Sequence, residues 1–267
     1  MSQAINRINY FSSNGEVVRT GADAGGYDFI YETSTVRNPA YYPGDAVVLP
    51  DKREFTYAKS AAAIATNLGC NFTSAGYTAA TVAAISYAIG AREITIPAQT
   101  HAALTADELR GGYVIIGMQG GTTSVHVRQI VGNDASVLDV AFKVRLDAPL
   151  SVAITAATTY IETFQNPYAA IGQSTTSTLP RAGRAATDVS AASKYFWVQT
   201  KGVTWASPQT GVGADNGGIT ACWREDGSLE KTETAFAVTV AASDTCQIAG
   251  FCIEGSTAGN GPLFYLT

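Results

Sequence analysis

Polar and apolar positions alternate in steps of two along much of the chain, the period of a strand with one covered face. In "VAFKVRL", Val140, Phe142, Val144 and Leu146 fall on one side and Ala141, Lys143, Arg145 and Asp147 on the other, so one face is wet. In "REFTYAK", Phe55, Tyr57 and Lys59 alternate with Glu54, Thr56 and Ala58. A turn at Pro50 and Asp51 joins this stretch to "AVVL", and Asp45 opens the turn before it, which predicts a hairpin with polar connections. Further strands are predicted at "REITIPA", "GYVIIGM", "SVHVRQIV", "SVLDVAFKVRL" and "LSVAIT". Gly120 and Gly121 form the hairpin turn between the second and third of these.

Helix signals are few. In "LTADELRGG", Thr105 and Glu108 fit a capping box for one short helical turn, which Gly111 and Gly112 end. The alanine-rich "SAAAIATNLG" and "TAATVAAISYAIG" read equally as short helix or loosely packed strand. Past Phe164, "QNPYAAIGQSTTSTLPRAGRAATDVSAAS" has the Pro, Gly, Ser and Thr content of a linker or long loop. Strands resume at "KYFWVQTKGVTWA", "GGITACWRED", "TAFAVTVAA", "QIAGFCIEG" and "PLFYLT", the last being expected to pair into a sheet. The fold class expected is mainly β, with antiparallel β-sandwich or barrel units, an extended N-terminal arm and little helix. Three segments follow: an arm at 1–43, a β-rich core domain at 44–165, and a second β-rich domain at 166–267.

The arm is the least periodic part and cannot bury a face of its own. It carries Tyr10, Phe11, Tyr27, Phe29, Tyr31, Tyr41 and Tyr42, however, and disordered tails are poor in aromatics. These seven are expected to anchor the arm on a neighbour.

Composition sharpens the picture. The chain has 267 residues, 46 % hydrophobic but only 15 % charged, against roughly 25 % charged in an ordinary soluble domain. A surface so poor in charge is expected where other protein covers it. A net charge of −5 and a pI near 5.0 leave no basic stripe for nucleic acid. No apolar leader and no long apolar run suggest a signal peptide or membrane span, so folding in a cytoplasm is expected. Cys70, Cys222, Cys246 and Cys252 lack CxxC spacing and are expected to be buried free thiols, with no metal and no cofactor.

Reaction chemistry finds little support. His101 lies in a predicted loop near Asp107 and Glu108, and His126 shares a strand face with Ser124 and Arg128, a poor start for a nucleophilic triad. Asp215 and Asn216 in "GVGADNGG" have the makings of a calcium grip, but a tight turn accounts for them. There is no Walker loop, dinucleotide fingerprint or G-x-S-x-G. Tyr195, Trp197 and Gln199 share one face of "KYFWVQTKGVTW", which suits an oligomer face or, if exposed, a sugar platform; Trp205 and Trp223 are the other tryptophans that could serve one.

The stretches "GDAVVLPDKREFTYAKSAAA", "ELRGGYVIIG", "VRLDAPLSVAITAATTYIETFQNPYAAI" and "YFWVQTKG", taken together, resemble a family of tailed-bacteriophage virion proteins. These are the capsid decoration or cement proteins of environmental and cyanobacterial phages. The resemblance runs from about residue 44 to the end and leaves out the arm. It implies a β-rich homo-oligomer, commonly a trimer at local three-fold positions, made in the host cytoplasm and seated on the outside of the head. There it would bind the major capsid protein and stabilise the lattice. A phage fibre or a carbohydrate-binding module is the alternative, and an enzyme would need a cleft joining a histidine to a carboxylate.

Overall fold

The computed structural model describes residues 9–11, 17–20, 28–73, 77–118, 125–173, 179–208, 212, 219–224, 226–231, 247–255 and 263–267. Its strands are, in chain order, β1 (Asn9–Phe11), β2 (Val17–Thr20), β3 (Ala46–Val48), β4 (Glu54–Lys59), β5 (Gly69–Phe72), β6 (Thr81–Val82), β7 (Glu93–Ile96), β8 (Tyr113–Met118) and β9 (His126–Asn133). There follow β10 (Phe142–Leu146), β11 (Thr159–Phe164), β12 (Ile171–Gly172), β13 (Arg181–Ala185), β14 (Tyr195–Trp205), β15 (Thr220–Trp223), β16 (Leu229–Lys231), β17 (Gln247–Glu254) and β18 (Leu263–Leu266). The protein is mainly β, with two curled antiparallel sheets that form half-barrels. Helix among the described residues is confined to 3-10 turns at Asp28–Tyr31 and Pro167–Ala169.

Two compact units emerge, one of 74–167 and one of 1–73 together with 168–267. One division between the units falls between 167 and 168, the other between 73 and 74. The strands before residue 73 belong with the C-terminal half, because β4 pairs with β14 and β5 with β13.

The unit of 74–167 is a six-stranded sheet in the order β6-β11-β8-β9-β10-β7. Its core joins Phe142, Val144 and Leu146, on the face expected from alternation, to Ile94 and Ile96, Val114 and Ile116, Ile130, and Ile161 from β11. Lys143 and Arg145 face water, and Arg145 spans Asp134 and Asp107 at 2.9 and 3.0 Å. Val140 departs from the row and is exposed, since β10 begins two residues later. Thr105 and Glu108 do meet as a capping box reads, with the Thr105 amide and hydroxyl donating to Glu108 Oε2 at 2.8 and 2.9 Å. They close a turn rather than a helix. Buried Asn133 holds that turn from β9 by donating to the Thr105 carbonyl and accepting from the Leu109 amide. "LSVAIT" contributes only a bridge, Ile154 to Tyr87.

The other unit holds the larger sheet, β12-β5-β13-β14-β18-β17-β15-β16, with β4 also on β14 and β3 on β4. The predicted hairpin is β3 and β4, with Ala46 opposite Thr56 and Val48 opposite Glu54. Neither alanine-rich stretch is helical: one makes a bridge from Ile64 to Val189 and the other supplies β6.

The stretch read as a linker contains two strands, β12 and β13. β13 escapes notice because its sequence, "RAGRA", combines small residues of low strand propensity with two arginines. Arg181 is nevertheless buried, and its guanidinium donates to Asn71 Oδ1 at 2.5 Å, to the Gly69 carbonyl at 3.2 Å and to the Arg224 carbonyl. Burial pulls its pKa down, yet a guanidinium keeps its proton and its fork meets three acceptors at once. Arg181→Ala leaves those acceptors dry and is expected to remove about 3 kcal/mol of stability. Arg181→Lys, which cannot fork, should lose most of the same amount. Urea unfolding read by tryptophan fluorescence measures this unit selectively, because all 3 tryptophans, Trp197, Trp205 and Trp223, lie in it.

Candidate functional site

The sequence proposes two groups of side chains for contacts with partners, and of the seven that are described the fold buries four, Phe29, Tyr41, Trp197 and Gln199. Phe29 and Tyr41 are buried with Tyr57 against Trp197. Their rings meet the indole at 5.6, 4.9 and 5.0 Å, the first two edge-on. The amide of Asn38 donates to the Tyr57 hydroxyl, and Ser34 pairs with Tyr195 through both backbone bonds. Residues 28–43 thus dock on the sheet of their own chain, and the anchoring expected on a neighbour is used internally at Phe29 and Tyr41. Tyr42 is half-buried under Arg37, whose guanidinium carbon stands 3.9 Å from the ring centre. Tyr31 is 50 % exposed. Tyr10 and Phe11 belong to β1, paired with β2, and their side chains lie outside the described set, as does Tyr27 altogether.

Tyr195, Trp197 and Gln199 do share a face of β14, but that face is covered. Tyr195 stacks on Tyr57 at 5.8 Å, and Trp197 and Gln199 are each 2 % exposed. The opposite face carries Phe196 and Val198, in a core of their own. Gln199 sits where β14 shifts register on β4, and its amide donates to the carbonyls of Lys201 and Val203 at 3.3 and 2.9 Å. Its role is to fill the bulge. Trp223 is also buried, its ring lying over Gly69, where an added Cβ would approach it to 2.8 Å. Of the three tryptophans only Trp205 reaches the surface.

Both histidines fall in the unit of 74–167. His101 is buried, with Nδ1 2.6 Å from the Ala102 carbonyl and Nε2 2.8 Å from the Val140 carbonyl, and its ring contacts Tyr77 and Phe142. Both nitrogens are engaged by backbone, so the ring ties the 136–140 loop to the sheet. His126 Nδ1 lies 3.3 Å from Ser151 Oγ, a pair the sequence did not offer, and Arg128 donates to the same oxygen at 2.9 Å. Among the described residues no carboxylate hydrogen-bonds to His126, so the third member of a relay is not assembled there. Nor do the described residues bring together three metal-binding side chains. Asp215 and Asn216 lie outside them.

The cysteines divide. Cys70 is fully buried and burial pushes its thiol up to about 12, which keeps it an inert thiol. Cys252 is free and half-buried, its pKa also raised by burial. Cys222 is disulfide-bonded, which corrects the expectation of four free thiols. Counting thiols in unfolded protein with Ellman's reagent should therefore give two without reductant and four with it. Four without reductant would refute the bond.

What the surface does offer is apolar area on sheets, which the search for catalytic pairs passed over. On the outward side of the 74–167 sheet stand Tyr113, Val127 and Val131, with Ile115 opposite Val127 and the exposed Val137 and Leu138 in the loop beyond β9. On the other unit the outward sides of β14, β17 and β18 carry Trp205, Phe251 and Leu263. The signal was present in strands apolar at consecutive positions, a pattern of sheets covered on both faces. Compared with known proteins, the chain matches no family model, no curated protein and no solved structure.

Proposed function

We propose that the protein is a virion structural protein that decorates and cements a capsid, fastening neighbouring major capsid protein subunits from the outside of the head without making or breaking bonds. The observation that carries this reading is the exposed apolar sheet surface, centred in one unit on Tyr113, Val127 and Val131. Contiguous apolar surface on a folded chain marks contact with other protein. A net charge of −5 with 15 % charged residues adds little repulsion or desolvation cost to such contact. Area of this kind adheres strongly: ~1,000 Å² buried at ~25 cal/mol per Å² gives a gross ~25 kcal/mol, against ~4 to 15 kcal/mol for association. The disulfide at Cys222 suits a protein that ends outside a reducing cytoplasm, as a released particle does.

A carbohydrate-binding module is less well supported, since Trp197 and Trp223, two of its three candidate tryptophans, are buried. The test is co-sedimentation of the purified chain with expanded heads of a tailed phage that carries its gene, stripped of surface proteins. Saturable binding is expected, at a fixed ratio to the major capsid protein and with a higher temperature of head rupture. Val127→Asp, which removes an apolar contact and adds a buried charge, should weaken binding at least about 10-fold. No binding by the folded wild type would defeat the proposal.

A further inference from the structure

Six apolar side chains point outward from three neighbouring strands of the C-terminal sheet: Val203 and Trp205 on β14, Leu263 and Tyr265 on β18, and Phe251 and Ile253 on β17. Register lays them in rows. Val203 stands opposite Tyr265, and Tyr265 opposite Phe251, whose ring it stacks at 5.1 Å and 11°. Trp205 stands opposite Leu263, with Ile253 beside it at the bulge between Cys252 and Glu254. The inward sides of the same strands, through Phe264, Leu266 and Ala249, are core. These strands therefore have the pattern of a sheet covered twice, and the described residues supply one cover.

We infer that the second cover is the same face of another copy of this chain. The inference deepens the proposal above and rests on its premise that the protein works by adhesive area. With Tyr265 half-buried and the other five between 38 and 51 % exposed, large side chains of 150–250 Å² present on the order of 500 Å² of surface. Laid on its own copy, that face removes roughly 1,000 Å² from water, the threshold of a specific interface. Among the described residues its middle holds no charge. Its rim carries opposite charges at opposite corners, Lys201 at the start of the row on β14 and Glu254 at the end of β17. Among the described residues Lys201 meets one carboxylate, a half-exposed contact with Glu54 at 3.8 Å. Rotation about a two-fold axis along the other diagonal brings each Lys201 over the partner copy's Glu254, so a single sequence satisfies both sides. The contact is two-fold, unlike the three-fold association that the resemblance implies.

Light scattering of the full chain across a micromolar concentration series tests this. A monomer–dimer equilibrium is expected, with Trp205→Lys and Phe251→Lys each weakening the dimer about 100-fold while circular dichroism and the melting curve stay those of the wild type. Val127→Lys, in the other unit, should leave the dimer intact. The rim supplies a second readout that leaves the apolar side chains untouched: Lys201→Glu should weaken the dimer and the double change Lys201→Glu, Glu254→Lys should restore it. A wild type that stays monomeric, a dimer that survives both lysine variants, or equal association of wild type and Lys201→Glu should the lysine variants not fold, overturns the inference. Monomers that still coat phage heads would sink the pairing alone; dimers that ignore heads would sink the capsid proposal alone.

Discussion

The register shift in β14 is the constraint on which the larger unit depends. The strand runs 11 residues, pairing with β4 from Tyr195 to Lys201 and with β18 from Gly202 to Trp205. One strand thereby joins segments from the start, the middle and the end of the chain. A bulge lets a strand bend and change partners, but it leaves backbone groups off the ladder. Gln199 answers for two of them, and Gly202, at φ +94, takes a backbone conformation that side chains resist, with Arg53 where a Cβ would be. A buried amide and a glycine three residues apart are what the switch requires.

The same strand explains why the aromatic residues near the N-terminus matter locally. Trp197 stands opposite Tyr57 of β4 and shares a buried cluster with Tyr57 and Phe55. Phe29 and Tyr41 meet the indole by edge-on contacts, the geometry that puts ring hydrogens against a π face. Residues 28–43 are ordered by that cluster and by the bridge of Ser34 to Tyr195, with a single 3-10 turn of regular structure to help.

Much of the fold was legible because alternation is a local signal. The β3–β4 hairpin, the inward row of β10, the strands at β7 and β8, and the Thr105–Glu108 contact all follow from neighbours in sequence. What alternation cannot say is which strands meet. β5 and β13 are more than a hundred residues apart, and β13 reads as loop because Arg181 is stable there only through acceptors on Asn71, Gly69 and Arg224. The site was legible only in part for a related reason. A tyrosine or tryptophan has the same sequence signature in a core and at an interface, so Trp197 and Trp205, on one strand, could not be told apart until the partners of each were known.

That ambiguity bears on function. Strands apolar on both sides usually predict complete burial, and β14 obeys this from Phe196 to Gln199, where other parts of the chain cover both faces. Beyond the bulge the pattern in sequence continues, through Val203, Trp205, Phe251, Ile253 and Leu263, but cover by the described residues stops. Leaving such side chains in water forgoes roughly 1.5 to 3 kcal/mol apiece relative to burial, and exposes a sheet face to unwanted association. A chain that folded only for its own sake would place threonine or lysine there, as β10 does with Lys143 and Arg145 on its wet face. The contrast between β10 and the β14–β18–β17 face, within one sequence, is therefore the argument for a partner: the chain can make a wet sheet surface, and at this place it does not.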